Sequence, residues 1–449
     1  MTAVTAVKVA TSFSYEDLVK ALTGFGAPFI RQITRLAPAA NPVAAAVYAG
    51  TGTEKKAYAT AEMLMGDTRK TVVVLSSVAA GANKLEEALL QALRDGHIRM
   101  PNLTVDYSGS FPFLGKLTSL EQPQRHLDFF TQATLVNGVP FKKSELALEF
   151  AKVGVRNHTP VYQITPHALV LGYWDSRRPG GGKDAKCARV LSSEIIGMNV
   201  VPFCRTKSRQ GPISVGQAVS VYQSDPALNP LHDWTSDPDL ALKNASGEAL
   251  VYKNSDGDKD GRASVIGASD VAPGLDTGLY DIEYAVHNTV LSLPGLRRLY
   301  FPLEGDKDPK HAQAVNVAGR AVIAALALAA ETLVRSQGYD LRSHCVLYVS
   351  PEHPTYWEIP SQDSTIPDTR FKLSVPDALD LLTTAVKEAK KLGLKWRDGD
   401  GLPELPVLTP DEECIKLLTK HYRAVDGIVD ETAPKKDKPA RNGSRKNDK

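Results

Sequence analysis

Basic side chains are concentrated in one stretch of this 449-residue chain, between Asp175 and Arg209. The stretch holds eight basic and three acidic residues, an excess of five, whereas the whole chain carries a formal charge of only +2. Within it, Pro179-Gly180-Gly181-Gly182 offers backbone N–H groups that an anion can approach closely. Clustered cations of this kind are typical of a polyanion site. The predicted phosphate-binding cations are Arg177, Arg178, Lys183, Lys186, Arg189, Arg205, Lys207 and Arg209.

The glycine-rich segment does not have the pattern of a nucleoside-triphosphate-binding loop. That pattern ends in Gly-Lys followed by Ser or Thr, whereas Lys183 is followed by Asp184. A solvated surface loop is the alternative that the local composition leaves open.

A second candidate contact follows a predicted strand, Thr71 to Leu75. The next segment, SVAAGANKLEEALLQALRDG, has the apolar spacing of a helix that ends at Gly96. Asn83 and Lys84 are placed in its first turns, where free N–H groups and the helix dipole favour phosphate. An ordinary exposed lysine is the competing interpretation.

Four further residues are weaker candidates for contact with a polyanion. Residues 167–173 form an apolar, β-prone run that predicts a buried strand, and the next residue returns the chain to solvent. Arginines also flank apolar segments near residues 297 and 342, where a structural role competes with binding. These weaker candidates are Trp174, Arg297, Arg298 and Arg342.

The remaining pattern predicts helices and loops. Helices are expected from Tyr15, around residues 119–135, over residues 311–334 with Gly338 as the stop, and over residues 374–392. Residues 224–278 are rich in Asp, Asn, Gly, Ser and Pro and predict an irregular insertion. The last residues, 431–449, predict a disordered basic tail.

Composition limits the possible functions. The four cysteines lie far apart without a CxxC pair, so we expect no zinc site or disulfide framework, and a reducing cytoplasm fits. Asp256, Asp258 and Asp260 match the front of a calcium loop, but Gly267 stands where its bidentate Glu belongs, so we expect no calcium and no cofactor. The N-terminal residues lack a sustained apolar run, and the apolar segment at residues 321–330 is much shorter than the roughly 20 residues of a membrane span. We expect no membrane role.

Several motifs in order give the chain a resemblance to a known family. They are SSVAAGANKLEEALL, TSLEQPQRHLDFFTQATLVNGVPFKKSEL, TPVYQITPHALVLGYWDSRRPGGGKDAKCARVLSSEIIG, LSLPGLRRLYFP and GYDLRSHCVLYV. Together they resemble the Cascade backbone subunit of type I-G (formerly I-U) CRISPR systems. The chain departs from that family's pattern at residues 208–212 and around residues 264–274, which places local contacts there in doubt.

The resemblance implies a non-catalytic RNA-binding protein of the RAMP superfamily. Its fold would be α+β, with an RRM-like antiparallel sheet, helices and large inserted thumb and finger segments over residues 1–430. Its partners would be CRISPR RNA, target DNA through the guide, other copies of itself, and the guide-processing and large subunits of Cascade. Because guide bases must stay free to pair, such a protein holds phosphates and sugars rather than base edges.

Two other classes of function are kept as alternatives. An endoribonuclease that processes guide precursor would use His126, His158 or His167 as general base, although no converging acid and stabiliser can be identified from the sequence. A structural assembly protein would bind an acidic protein partner through the same basic stretch.

Overall fold

The structure is a computed structural model of the chain. It describes residues 9–10, 12–23, 27–50, 56–176, 186–213, 215, 219–253, 261–268, 270–362, 368–398 and 405–425. The glycine-rich segment, the predicted tail and part of the predicted insertion therefore lie outside the described residues.

Helices account for about half of the regular structure in the described residues. They are α1 (Tyr15–Thr23), α2 (Val78–Arg94), α3 (Phe129–Gln132), α4 (Glu145–Ala151), α5 (Thr159–Ile164), α6 (His167–Leu171), α7 (Leu293–Arg297), α8 (Pro309–Gln337), α9 (Val375–Lys391) and α10 (Glu412–Val425). Their ends follow local chemistry. The Ser77 hydroxyl accepts a hydrogen bond from Ala80 N at the start of α2, and Gly96 adopts a left-handed conformation after its end.

The strands of the described residues range from two to eleven residues in length. In chain order they are β1 (Val9–Ala10), β2 (Phe29–Pro38), β3 (Val43–Ala44), β4 (Val47–Ala49), β5 (Lys56–Tyr58), β6 (Thr60–Met65), β7 (Thr68–Ser76), β8 (Thr104–Asp106), β9 (Lys116–Thr118), β10 (Thr134–Val136), β11 (Val139–Pro140), β12 (Tyr173–Trp174), β13 (Lys186–Cys187), β14 (Leu191–Met198), β15 (Val201–Arg209), β16 (Tyr222–Gln223), β17 (Trp234–Thr235), β18 (Val271–Asp281), β19 (Tyr284–Ser292), β20 (Tyr339–Arg342), β21 (Cys345–Val349), β22 (Trp357–Ile359), β23 (Thr369–Phe371) and β24 (Thr409–Pro410).

The centre of the main sheet has a βαββαβ connection. Along the chain its elements are β2, α2, β14, β19, α8 and β21. In the sheet the strand order is β21-β2-β19-β14, and every neighbouring pair is antiparallel. Numbered along the chain, this is the order 4-1-3-2 of a ferredoxin-like unit. The predicted α+β fold with an RRM-like antiparallel sheet is therefore confirmed. Strands β7 and β6 extend the sheet beyond β14, and β22, β23 and β1 extend it beyond β2.

The helices α1, α2, α8 and α9 pack together over one face of this sheet. Alternate residues of β2 and β19 are buried on that face, including Ile30, Leu36, Ala285 and Leu291. The alanine-rich helix α8 lies at the centre of the core. It is long and apolar enough to cross a membrane, but 94% of its most apolar window is buried inside the protein, as expected of a core helix.

A smaller lobe has its own core. Its first part comes from residues 103–146 and its second from the C-terminal segment, which adds Leu408, Cys414 and Leu418. Antiparallel pairing of β10 with β24 joins the two parts. Within the first part, β8 pairs with β9 and β10 pairs with β11. The C-terminal helix α10 therefore closes this lobe rather than the main sheet.

The hairpin of β14 and β19 continues beyond the sheet as a ribbon of two strands, and β3 pairs with the second of them near the base of the ribbon. Its strands, β15 and β18, pair from Val201 with Asp281 to Arg209 with Val271. Every residue of β15 is exposed except Arg205, which is half-buried. The segment that joins β15 to β18 begins at the far end of this ribbon, and it includes most of the predicted insertion.

Three predicted elements differ from the structure. Residues 167–171 form the helix α6, not the predicted strand. An apolar run that is buried on all sides has no periodicity that distinguishes a helix from a strand. The helix expected near residues 119–135 is broken, since Arg125 has a positive φ and the Asp128 carboxylate caps a new helix at Phe130 N. The predicted irregular insertion at residues 224–278 overlaps β18, whose regular partner β15 is distant in sequence.

A polar cluster lies buried between α8 and the sheet. Ser193 Oγ is 2.7 Å from His287 Nε2, and that nitrogen is 3.4 Å from Glu331 Oε1. The Tyr339 hydroxyl is 3.1 Å from His287 Nδ1. Burial raises the pKa of Glu331 to about 8 and lowers the pKa of His287 to about 3, so both side chains are neutral at pH 7.

This cluster predicts a pH-dependent difference between the protein and its Glu331→Gln variant. A carboxyl group with a raised pKa stabilises the fold below its ordinary pKa, and this stability is lost as the pH rises through the folded-state pKa. We expect the variant to gain stability relative to the parent, by a few kcal/mol, as the pH rises from about 5 to about 9. Urea unfolding at three pH values measures this, and a stability difference that stays constant with pH would contradict it.

Candidate nucleic-acid interface

The glycine-rich segment connects the two strands of a short hairpin. Strand β12 pairs with β13 in antiparallel register, with Tyr173 opposite Cys187 and Trp174 opposite Lys186. The connecting residues, 177–185, lie outside the described residues. That range contains three predicted phosphate contacts, Arg177, Arg178 and Lys183.

The base of this hairpin is tightly held. Gly172 has a positive φ, and a Cβ atom there would lie 2.8 Å from Arg189 N and 2.9 Å from Cys187 O. The Arg125 guanidinium donates to Gly172 O at 2.9 Å and to Glu86 Oε1 at 2.7 Å, which joins the hairpin to α2. Residues at the hairpin base are thus fixed against the body of the protein.

Trp174 and Lys186 form a cross-strand pair at the surface. The indole is 61% exposed, and Lys186 Nζ lies 4.6 Å from its ring centroid. This distance is that of a cation–π contact. The predicted return of the chain to solvent at Trp174 is therefore correct.

Lys186 also lines a cleft beside the hairpin. The cleft has a volume of about 480 Å³, and its wall includes Arg298 and His158 together with Cys187 and Leu299. Two cations from distant parts of the chain therefore line one cleft. An open cleft with a lysine and an arginine can hold a phosphate group by charge and by hydrogen bonding.

Three more of the predicted contacts lie on or beside helix α2. Arg189 is exposed, and its Nη1 donates to Val78 O at 3.2 Å, so its side chain lies at the N-terminus of the helix. Because α2 begins at Val78, Asn83 and Lys84 lie in its second turn rather than beside its free N–H groups. Lys84 Nζ forms an exposed ion pair with Glu87 at 2.9 Å.

The third predicted cluster lies on the ribbon. Arg205, Lys207 and Arg209 occupy alternate positions of β15, so they project from the same face of that strand. Arg205 Nη1 is 3.3 Å from His344 Nδ1, at the turn between β20 and β21. The cleft is built from β13, α7 and the segment before α5, so the predicted cations are divided between the ribbon and the body of the protein.

Two of the weaker candidates have structural roles. Arg297 donates to the carbonyl oxygens of Leu22, Ala21 and Ala27, and so completes the C-terminal end of α1. Arg342 donates to the carbonyl oxygens of Ala44 and Leu75. Both guanidinium groups are therefore held by backbone, unlike Arg298, which lines the cleft.

Sequence reasoning missed a set of arginines on the open face of the main sheet, opposite the helices. Each guanidinium lies over an aromatic ring, at 3.7–5.3 Å from its centroid. The pairs are Arg31 with Phe29, Arg35 with Tyr284 and Arg370 with Tyr356. Glu358 forms ion pairs with Arg31 and Arg370, at 2.8 and 2.9 Å, which offsets much of the charge on this face. The alternation of Arg31, Ile33 and Arg35 in β2 was the available signal.

The three histidines considered as catalytic bases are buried. Burial lowers the pKa of His126 to about 3, of His158 to about 4, and of His167 well below its usual range. His126 stacks on Phe150 with 4.7 Å between ring centroids, which suits a core side chain. Of the three, His158 lines the cationic cleft.

The fold and the site define an RRM-like α+β protein with a cationic cleft and a projecting basic ribbon. A family model described as CRISPR-associated protein GSU0053 matches residues 33–202. The match runs from β2 into β15, and it includes the hairpin, Arg189 and both predicted positions on α2. This match supports the interpretation that the chain is a CRISPR-associated protein with a role in CRISPR defence. No curated protein matches the chain.

Proposed function

We propose that this protein is the non-catalytic backbone subunit of a type I-G Cascade complex, a cytoplasmic ribonucleoprotein that holds CRISPR RNA for pairing with target DNA. The observation that carries the proposal is the meeting of Lys186 and Arg298 in one cleft, at the base of a glycine-rich hairpin and within reach of solvent. The family match and the RRM-like sheet are consistent with it.

The arrangement suits a protein that binds a guide without reading it. Phosphate contacts position a strand but carry no sequence information, whereas base edges must stay open for pairing. The cleft, the hairpin and α2 lie on the body of the protein, and the ribbon carries a separate row of cations outward. A single RNA strand contacting both surfaces would lie between the body and the ribbon.

The projecting ribbon also suits assembly along one RNA. Its apolar side chains Val201, Phe203 and Leu275 are exposed, at 62%, 43% and 66%. Exposed apolar side chains on a projecting ribbon favour contact with another protein surface. We propose that the partners are further copies of this chain, with the guide-processing and large subunits at the ends of the RNA.

The endoribonuclease alternative depends on His158, because it lies in the cleft with two cations. Tyr300 N donates to His158 Nδ1 at 3.2 Å, so the proton of the neutral imidazole is on Nε2. A base must have a free lone pair facing the 2′-hydroxyl group of the substrate. With Nδ1 occupied and Nε2 protonated, His158 lacks one, which favours binding over cleavage.

Co-purification tests the proposal. The chain would be expressed with a CRISPR array and its candidate partner subunits, purified through this chain, and the bound RNA sized and sequenced. We expect RNA of uniform guide length in a large particle that dissociates on treatment with ribonuclease. Particles that survive ribonuclease would favour the protein-partner alternative, and a nucleic-acid-free monomer would contradict the backbone role.

Cleavage is tested separately with the purified chain and precursor RNA. We expect no product. Cleavage that is lost in the His158→Ala variant but kept in His126→Ala would establish the enzyme instead.

A further inference from the structure

The four tryptophans of the chain differ sharply in exposure. Trp357 and Trp396 are fully buried in the main core, and Trp234 is half-buried in the insertion. Trp174 alone among them is mostly exposed, at 61%. An indole is large and apolar, so leaving it in water forgoes a substantial gain from burial. Its exposure therefore needs an explanation beyond packing.

The position of Trp174 is set by a rigid support. It is the second residue after Gly172, whose close approach to Arg189 and Cys187 admits no side chain. Its ladder partner is Lys186, and the Lys186 ammonium lies over the indole. Tyr173, the preceding residue, points the other way and packs edge-on against His126 at 5.1 Å. The indole is thus held in place before any ligand arrives.

The surroundings of Trp174 select the class of ligand. Lys186 belongs both to the indole pair and to the wall of the cleft that contains Arg298. An aromatic ring in contact with one cation, which shares a cleft with a second, matches the two parts of a nucleotide, a flat base and a phosphate group. A purely apolar partner would leave both cations desolvated without compensation.

We infer that Trp174 stacks on a nucleobase of the bound RNA, while the phosphate beside that base occupies the cleft between Lys186 and Arg298. This inference rests on the proposed function and adds one base contact to it. Because every base has a π-face, the contact tolerates any sequence. The protein therefore distinguishes an RNA with bases from a bare sugar-phosphate strand, although it does not distinguish one base from another.

The test compares two probes of equal length and charge, oligouridylate and the same strand with abasic ribose throughout. Binding of each to the purified full-length chain is measured by fluorescence anisotropy at several salt concentrations. We expect the abasic strand to bind about tenfold more weakly, with the same dependence on salt. We also expect Trp174→Leu to bind oligouridylate about tenfold more weakly and to lose the preference over the abasic strand. Trp174→Phe, which keeps an aromatic face, should retain most of the preference for oligouridylate over the abasic strand.

Trp234→Leu is the matched control, since Trp174 and not Trp234 contacts the cleft residue Lys186, so this variant should keep the full preference. Equal binding of both probes to the unaltered chain, or an unchanged preference in Trp174→Leu, would overturn the stacking inference. If RNA binding to the unaltered chain still weakened with rising salt, the proposed phosphate binding would stand. If neither probe bound in a salt-dependent manner, the proposed function and the stacking inference would both fail.

Discussion

A double variant, Lys186→Gln with Arg298→Gln, is expected to bind single-stranded RNA about 10- to 100-fold more weakly at low salt. The two cations line one cleft, so they can act on the same phosphate or on adjacent ones. Each phosphate contact with a single strand adds about 0.7 to the slope of log affinity against log salt. We therefore expect the slope to fall by about 0.7 if both cations hold one phosphate and by about 1.4 if they hold adjacent ones, for RNA of any sequence. Titrations of labelled RNA between about 50 and 200 mM salt measure both quantities.

The control for this variant removes two charges elsewhere. Lys391 and Lys416 lie on the exposed faces of α9 and α10, paired with glutamates three or four residues away. Lys391→Gln with Lys416→Gln changes the net charge by the same amount. It should alter affinity by less than about twofold, because neither lysine lines the cleft and each is already paired with a glutamate. An equal loss in both double variants would mean that overall charge, and not the cleft, determines binding.

The helices that cover the sheet were predictable because their ends carry local signals. Ser77 and Gly96 bound α2, Gly338 ends α8, and Ser374 forms a capping box with Asp377 at the start of α9. Such signals depend on neighbours within a few residues, which the sequence contains directly. The helix α6 carried no comparable signal, since its residues are all buried and no polar face marks a period.

The candidate site was predictable in its parts but not in its assembly. The concentration of cations around Lys186 is visible in the sequence, but its meeting with Arg298 depends on how the hairpin and α7 pack. The same limit applies to Arg297, which the sequence cannot distinguish from its neighbour Arg298. Arg297 donates to carbonyl oxygens of α1, whereas Arg298 lines the cleft. This difference is set by the packing of α7.

The arginines on the open face of the sheet form a pattern that is visible in the sequence but was not used in the prediction. Arg31, Ile33 and Arg35 alternate with buried residues of β2, as expected of a strand with one face in the core. The pairing of Arg31 with Glu358 depends on β22, which is distant in the sequence. The pattern therefore predicts the exposed face but not the acidic partner that offsets its charge.

Gly81→Ala is expected to destabilise the protein by about 2–4 kcal/mol, although alanine is the better helix former by about 1 kcal/mol. Gly81 lies on the buried face of α2, against β14. A Cβ atom there would overlap the carbonyl oxygen of Ser193 and lie 3.1 Å from its carbonyl carbon. These are backbone atoms in the middle of the sheet, where Ser193 pairs with Thr289, so they cannot rotate away as a side chain would. Relief requires α2 to move off the sheet, which opens the packing of Ala82 and Leu85 behind it.

Gly96→Ala supplies the comparison, because it makes the same substitution just beyond the end of the same helix. Gly96 has a φ of +74° and open space around the position of a Cβ atom, so alanine there costs only the strain of a left-handed backbone. That strain is about 1–2 kcal/mol. Urea unfolding followed by circular dichroism should therefore rank the parent above Gly96→Ala and Gly96→Ala above Gly81→Ala. If Gly81→Ala were as stable as the parent, the gain in helix propensity would outweigh the clash between the Cβ atom and the Ser193 carbonyl group. That result would mean that α2 does not lie as close to β14 as in this structure. Displacement of α2 in Gly81→Ala would also weaken the support of the hairpin, since Arg125 bonds both to Gly172 O and to Glu86 of this same helix.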